Sequence, residues 1–460
     1  MRKLLLFCFL ILLVAASFLS SCNKSIIVSK QHLNFSTDTL VFDTVFTTVG
    51  STTKAFKIYN PDNKVLQIDE IELMGGSASV YRINVDGIAA TNFKDIQLEG
   101  HDSLFVFVEV TLQANNGTQP MVIEDSVRFK TNGQNQFVKL AAWGQDAYFH
   151  YKDLNEGIWP NDKPHVIYGY AAIDSSKSLT IQAGTHIYMH KNAILYNYKG
   201  ALQIQGQLGN EVIIEGDRLE QDYKDVSGQF YGIYFHQALP SSIDYAIIKN
   251  GTSGVHVYSH DPANASYTLT LSNTNISNMA RYGVFLFAGA QVKAENCIIA
   301  KNGTHALLVL QGADFNFNHC NLLGYGASSN PAVGISNFYN DVAHDQTLVS
   351  SIDEGKLTNC VIYGNLETEL AFDTIQMPGV QLNFDFQHTV IKSKEIYTDA
   401  FYASSVSWNH VPYFTDVTVS DFTFSDLSSL SNSGIATSVL TDILGQARNN
   451  PPDIGAIEKP

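Results

Sequence analysis

Three cysteines in the second half of this chain fall at one point of a repeating unit. Set in register, Asp244-Tyr-Ala-Ile-Ile, Asn273-Thr-Asn-Ile-Ser, Asn296-Cys-Ile-Ile-Ala, His319-Cys-Asn-Leu-Leu, Asn359-Cys-Val-Ile-Tyr and His388-Thr-Val-Ile-Lys recur at spacings of 29, 23, 23, 40 and 29 residues. A unit this short cannot bury its own apolar side chains, so successive copies must stack and share a core, which makes a solenoid. In this register Ile247, Ile276, Ile299, Leu322, Ile362 and Ile391 form an aliphatic column predicted to lie inside the coils. Cys297, Cys320 and Cys360 line up with Thr274 and Thr389 as a column of small residues. Small core positions are one reading of the cysteines, and a 297–320 disulfide between adjacent coils is another. An odd number of them with no C-x-x-C spacing gives neither a disulfide framework nor a zinc site. The recurring Asn273, Asn296 and Asn359 are expected to bond the backbone of the neighbouring coil at a bend.

The first 22 residues point to a compartment. Arg2 and Lys3 precede an apolar stretch, Leu4 to Phe18, that is short for a membrane span, and Leu19-Ser20-Ser21-Cys22 closes it. This segment resembles a bacterial lipobox. The resemblance implies cleavage before Cys22, acylation of that cysteine, and a protein anchored to the outer membrane without spanning it, on the periplasmic face or the cell surface. An ordinary signal peptide that happens to end in Cys is the alternative. Asn23-Lys-Ser-Ile lacks the acidic run that resembles surface-export signals, which favours the periplasm. Loss of Arg2 and Lys3 leaves 26 basic residues against 44 acidic ones, a net charge of −18. That balance argues against nucleic acid or an anionic lipid surface as partner.

From Val28 to Tyr148 short runs alternate apolar and polar residues: Leu40 to Asp43, Ala55 to Tyr59, Leu66 to Leu73, Leu104 to Leu112, Ser126 to Lys130 and Phe137 to Leu140. Asn60-Pro-Asp-Asn, Met74-Gly-Gly-Ser and Asn132-Gly-Gln-Asn interrupt them. Six or seven strands over 28–148 predict a β-sandwich of immunoglobulin-like shape. The stretch from Phe46-Thr-Thr-Val-Gly-Ser to Phe56-Lys-Ile-Tyr-Asn-Pro resembles the Hydin/ASPM-type immunoglobulin-like modules. Over 150–460 the coils take over. Ser178-Leu-Thr-Ile-Gln-Ala-Gly-Thr, Gly200-Ala-Leu-Gln-Ile-Gln-Gly and Glu211-Val-Ile-Ile-Glu-Gly-Asp-Arg resemble the opening coils of right-handed parallel β-helix proteins of the pectate-lyase-like group. Tyr231-Gly-Ile-Tyr-Phe stands where that group has a Trp-Gly-Ile element, and Asp442 to Glu458 resembles its terminal segment. The fold class expected is therefore all-β. That resemblance carries fold and is nearly silent on activity.

On a β-helix, chemistry would sit on the outside of one sheet. Gly232-Ile-Tyr-Phe-His, Gly254-Val-His-Val-Tyr and Gly283-Val-Phe-Leu-Phe supply that sheet, with Ala306-Leu-Leu-Val-Leu aligned from the second position, Ala306 on Val284 at a spacing of 22, so that Leu307 continues the outward row. Strand alternation turns Ile233, Phe235, Val255, Val257, Val284 and Leu286 inward. The outward columns are then Tyr234, His256, Phe285 and His236, Tyr258, Phe287, an aromatic wall suited to stacking on sugar rings. A competing reading has this wall covered, by the insertion from Gly324 to Gly355 or by the preceding module. His256, Tyr258 and His260 alternate along one strand and Asp261 follows, which suggests a metal site only if they converge; no metal or other cofactor is expected. No Asp-Asp pair, Gly-His-Gly or Arg-x-x-Arg occurs in a coil, and basic residues between Lys224 and Lys356 are only Lys249, Arg281, Lys293 and Lys301. These absences favour noncatalytic binding or scaffolding, with a polysaccharide as the partner. A polysaccharide lyase or glycoside hydrolase with another residue set is the alternative.

Overall fold

The structure is a computed structural model that describes residues 28–47, 50–113, 121–396 and 405–459. The lipobox and Cys22 lie outside the described residues. The chain divides after Asp146 into two compact units. Among the described residues the only helical turns are Gly76–Ala78 and Gln221–Tyr223, so the protein is all-β.

Among its described residues the first unit has ten strands, where six or seven are expected. One five-stranded sheet runs Asn34–Phe35, Lys54–Tyr59, Ser103–Val110, Tyr81–Val85, Ile88–Ala89, and the other runs Thr39–Phe46, Gln134–Gln145, Met121–Thr131, Leu66–Leu73, Asn92–Leu98. Both contribute to one apolar core. Leu66, Ile68, Ile71 and Leu73 are all fully buried, and the step of three between Ile68 and Ile71 falls at a β-bulge against Met121–Thr131. Asn132 and Gly133, at φ 50° and 75°, form the two-residue turn that joins Met121–Thr131 to Gln134–Gln145.

The second unit is a parallel β-helix with three faces. Face 1 stacks Ile194–Tyr198, Gly232–His236, Ser253–Tyr258, Tyr282–Phe287, His305–Leu310, Val333–Ser336 and Leu370–Asp373. Face 2 includes Ser178–Gln182, Ala201–Gln205, Ser241–Asp244, Leu269–Ser272, Ala290–Glu295, Ala313–Asn318, Ile352–Thr358 and Leu382–Gln387. Face 3 includes His186–Met189, Val212–Gly216, Ala246–Lys249, Asn275–Ser277, Ile298–Ala300, Asn321–Gly324, Val361–Gly364 and Val390–Ile391. Inward side chains of all three faces make one continuous core. Packing this tight sets where glycine must stand. Gly232 has φ 138°, and a Cβ there would lie 1.7 Å from the Ser253 carbonyl oxygen.

The predicted aliphatic ladder exists with one correction. Ile248, not Ile247, pairs with Ile276, and the column continues through Ile299, Leu322, Ile362 and Ile391. The chain turns at Tyr245, whose φ of 44° matches those of Asn273, Asn296, His319, Asn359 and His388, so Tyr245 rather than Asp244 begins that unit. Aligning acidic Asp244 with asparagine shifted the register by one, and in a strand one residue exchanges inside for outside. Cys297, Cys320 and Cys360 are buried free thiols, with no disulfide between 297 and 320. Each Sγ lies 3.3 to 3.4 Å from the carbonyl two residues earlier, as the hydroxyls of Thr274 and Thr389 do at 2.7 and 2.9 Å. The column therefore takes a small side chain with one donor, which Cys and Thr supply alike.

The corner asparagines bond the backbone of the neighbouring coil through their own backbone N–H groups, to the carbonyls of Glu295, Asn318 and Gln387 at 3.0 to 3.1 Å, and their side chains go elsewhere. Asn273 and Asn296 donate to the side chains of Asp244 and Asn273, at 2.9 and 3.1 Å. Asn296 and Asn359 also donate to the carbonyls of Thr441 and Ile435, both at 2.8 Å. These partners belong to the C-terminal segment, which returns over the outside of face 3. There Phe422, Phe424, Leu430, Ile454 and Ile457 bury the outward Ile298, Leu323, Val361 and Val390 in a separate apolar cluster.

Candidate functional site

Face 1 carries the predicted aromatic residues outward, and its pairing defines two columns. Tyr196, Tyr234, His256, Phe285 and Leu308 are successive partners in one, and Tyr198, His236, Tyr258, Phe287 and Leu310 in the other. Ile233, Phe235, Val255, Val257, Val284 and Leu286 are fully buried behind them. Gly283 aligns with Ala306 at a spacing of 23, not 22, so Leu307 faces the core and Leu308 stacks on Phe285. Tyr196 and Tyr198 extend the wall by a coil that the glycine-led motif could not reveal, because Ile194 occupies the glycine position there.

The first column spends its ring faces on itself. Tyr234 and His256 stack with centroids 4.4 Å apart at 17°, and His256 and Phe285 at 4.4 Å and 25°. Rings that lie flat on one another along the coil axis, at about the 4.8 Å spacing of paired strands, turn their edges outward. The second column is held edge to face: Tyr198 to His236 at 80° and His236 to Tyr258 at 86°. His256 is 8 % exposed, and its Nδ1 and the Tyr231 hydroxyl are hydrogen-bonded at 2.7 Å. Burial pulls its pKa down to about 4, so the imidazole is a neutral rung of the stack. The Tyr196 hydroxyl and His236 Nδ1 are hydrogen-bonded at 2.8 Å.

Ring faces become available at the ends of the wall. At its first coils a cleft of about 500 Å³ is lined by Leu154, Tyr170, Ala172, Ile173, Asp174, Ile194, Tyr196, Tyr198 and Tyr234. Four tyrosines and four aliphatic side chains make it mainly apolar, with hydroxyls and one carboxylate at hand. At the far end a cleft of about 480 Å³ lies between His305, Leu308, Leu310, Gly334, Tyr339 and Asp373. The insertion from Gly324 to Gly355 does not cover the wall as a loop. Val333–Ser336 joins face 1 as a strand, and the hairpin of Phe338–Asp341 and Gln346–Val349 brings Tyr339 edge-on to Phe287 at 5.4 Å.

The suggested His256, Tyr258, His260 and Asp261 grouping does not converge. Ser259, at φ 60°, ends the strand alternation, and both ring nitrogens of His260 are used within the following loop, by Thr268 Oγ1 at 2.9 Å and the Asn264 carbonyl at 3.0 Å. Among the described residues no group of three or more His, Cys, Asp or Glu is placed to hold a metal ion.

Residues 167–322 and 263–438 match the sequence profile of a family described as right handed beta helix region. No curated protein matches this chain. Among solved structures, the catalytic unit of a thermostable GH87 α-1,3-glucanase from Streptomyces thermodiastaticus strain HF3-3 is 10 % identical, with 77 % of this chain and 87 % of that one covered at a TM-score of 0.28. The ASH/PapD-like domain of human CEP192 is 10 % identical over 27 % of this chain and 96 % of its own, at 0.18. A family 123 glycoside hydrolase from Clostridium perfringens is 6 % identical over 25 % of this chain at 0.18, and this chain spans about a quarter of its length, 26 %.

Proposed function

Since this chain belongs to the right-handed β-helix family, we propose that it is a lipid-anchored envelope protein that binds glycan without cleaving it at the binding cleft. The observation that carries this reading is the cleft of Tyr170, Tyr196, Tyr198 and Tyr234 with Leu154 and Asp174. Rings stacked inside the wall have no free face, whereas Tyr170 at the end of face 1 is 39 % exposed. A sugar ring can lie on such a face while tyrosine hydroxyls bond its own hydroxyls. One carboxylate in the cleft is half of the acid and base pair that glycosidic hydrolysis requires. The anchor rests on the lipobox ending at Cys22, and the first unit, as an immunoglobulin-like module, would act as a spacer. A glycan array on the soluble 23–460 fragment tests the reading. Tyr198→Ala and Tyr170→Ala should abolish the strongest signals and leave the melting midpoint within about 2 °C, the change expected of an exposed side chain. Binding unchanged in both variants would reject the cleft.

A further inference from the structure

The start of face 3, ahead of the coils that the C-terminal segment covers, carries a separate cluster of ionisable groups. Tyr151 pairs with Tyr168, and the same register places His190 and then Asp217 on the following coils of that outward column. His190 Nδ1 lies 2.7 Å from Asp217 Oδ2, with the two side chains 45 % and 12 % exposed. The Tyr168 ring packs on the imidazole at 4.5 Å and stacks in turn on Tyr151 at 5.0 Å, which is 56 % exposed. In the adjoining column Glu215 joins His186 at 2.7 Å to Lys249 at 2.8 Å. Burial pushes the Asp217 carboxyl above its ordinary pKa against the opposing pull of its hydrogen bond to His190.

A carboxylate can only accept, so Nδ1 carries a proton, which in the neutral form of the ring leaves the lone pair on Nε2. Among the described residues Nε2 has no hydrogen-bond partner, and the ring is nearly half exposed. An imidazole oriented through one nitrogen with the other open is the arrangement of a general base. The chain also departs from its repeat here. Residues 217–231 separate the strands of faces 3 and 1, where the next coil needs only 250–252, and the longer loop sets the Arg218 guanidinium 3.8 Å from the Tyr223 ring. Glu215, Asp217 and Glu220 offset Lys249 and Arg218, so the surroundings do not favour a polyanion. Exposed Tyr151 offers a ring face to an uncharged sugar.

We propose that His190 is the proton-transfer residue of an esterase site for acyl groups carried on a neutral glycan, with Asp217 as its positioning residue and water as the nucleophile. Nε2 takes a proton from water as its oxygen bonds to the acyl carbon, and returns it to the sugar oxygen as the ester C–O bond breaks. The products are a carboxylic acid and a free hydroxyl, with no change of oxidation state. This site is on another face from the tyrosine cleft, so either reading can fail alone.

The full-length chain would be assayed with 4-nitrophenyl acetate and with an O-acetylated cello-oligosaccharide. Hydrolysis of both is expected, with kcat at least about 100-fold lower in His190→Gln, the usual worth of a general base, and unchanged in His260→Gln. Asp217→Asn should lower kcat with KM held, and nitrogen-15 NMR should show His190 moving its proton from Nδ1 to Nε2. A merely structural pair would not produce that combination. Wild-type rates no higher than those of His190→Gln, or full kcat in a folded Asp217→Asn, would overturn the proposal.

Discussion

Arg448 offers the sharpest test of how the β-helix holds its C-terminal segment. Its side chain and that of Glu458 are 3 % and 1 % exposed and pair at 3.2 Å. The guanidinium also donates to Asn296 Oδ1 at 2.7 Å and the Gly455 carbonyl at 3.1 Å, which ties the segment to a coil corner. Burial alone would lower its pKa, and Glu458, Asp442 and Asp453 oppose that, so one cation serves three buried carboxyl groups. Arg448→Met keeps the length and removes the charge. Breaking a buried pair from one side costs about 3–5 kcal/mol, because the remaining charge stays uncompensated. Glu458 also accepts backbone N–H groups from Asn449 and Asp453, both at 2.9 Å, so it cannot simply leave. Adding Glu458→Gln removes the orphaned charge and keeps an acceptor, and should restore about 2 kcal/mol of the loss. Urea melts of the wild type, both single variants and the double variant give the coupling directly, and hydrogen exchange over 432–459 locates it. Salt at 0.5 M should barely alter it, since a buried pair is poorly screened. A loss below about 1 kcal/mol in Arg448→Met, or a double variant no more stable than that single one, would refute the account.

Other expectations follow from the same structure. Ile299→Ala should destabilise by about 2–5 kcal/mol in denaturant melts, as for any fully buried aliphatic side chain, and a change under about 0.5 kcal/mol would contradict the ladder. Burial lowers the pKa values of His165 and His256 to about 4 and of His319 to about 3, below their unfolded values. The unfolded chain therefore binds more protons between pH 6.5 and 4, and stability present above pH 6.5 is lost as pH falls through that window, by about 3 kcal/mol per histidine. His256→Phe should flatten that slope in urea midpoints taken from pH 7 to pH 4, and an unaltered slope would count against a buried neutral imidazole. Cys22→Ala should move the protein out of the membrane fraction with its melting midpoint intact, whereas retention after a salt wash would dispose of the lipid anchor.

The repeat was legible because solenoid coils write their core at fixed intervals, and the glycine-led motifs of face 1 gave inward and outward sides correctly from Gly232 to Phe287. The failures share a cause. Asp244 for Tyr245, and Leu307 for Leu308, are slips of a single residue, made where a corner loses or gains one position and strand alternation then inverts the result. The edge strand Asn92–Leu98 was hidden by polar residues at positions that a sheet edge tolerates. The stacking within the aromatic wall depends on ring rotation, which no spacing encodes. His190 and Asp217 were overlooked for another reason: they are 27 residues apart and become neighbours only when coils pair.

The return of the chain end over face 3 bears on the order of folding. Coil-to-coil contacts join residues some 23 to 29 positions apart, and a solenoid built of them can propagate as the chain emerges. The bonds from Asn296 to Thr441 and to Arg448 close loops of 145 and 152 residues. Closures that long come late and wait on the last residues to arrive. Until then Ile298, Leu323, Val361 and Val390 form an uncovered apolar row on a finished sheet. Before that closure the half-built β-helix would need protection from its own copies, and truncation shortly after residue 410 would make the exposure permanent.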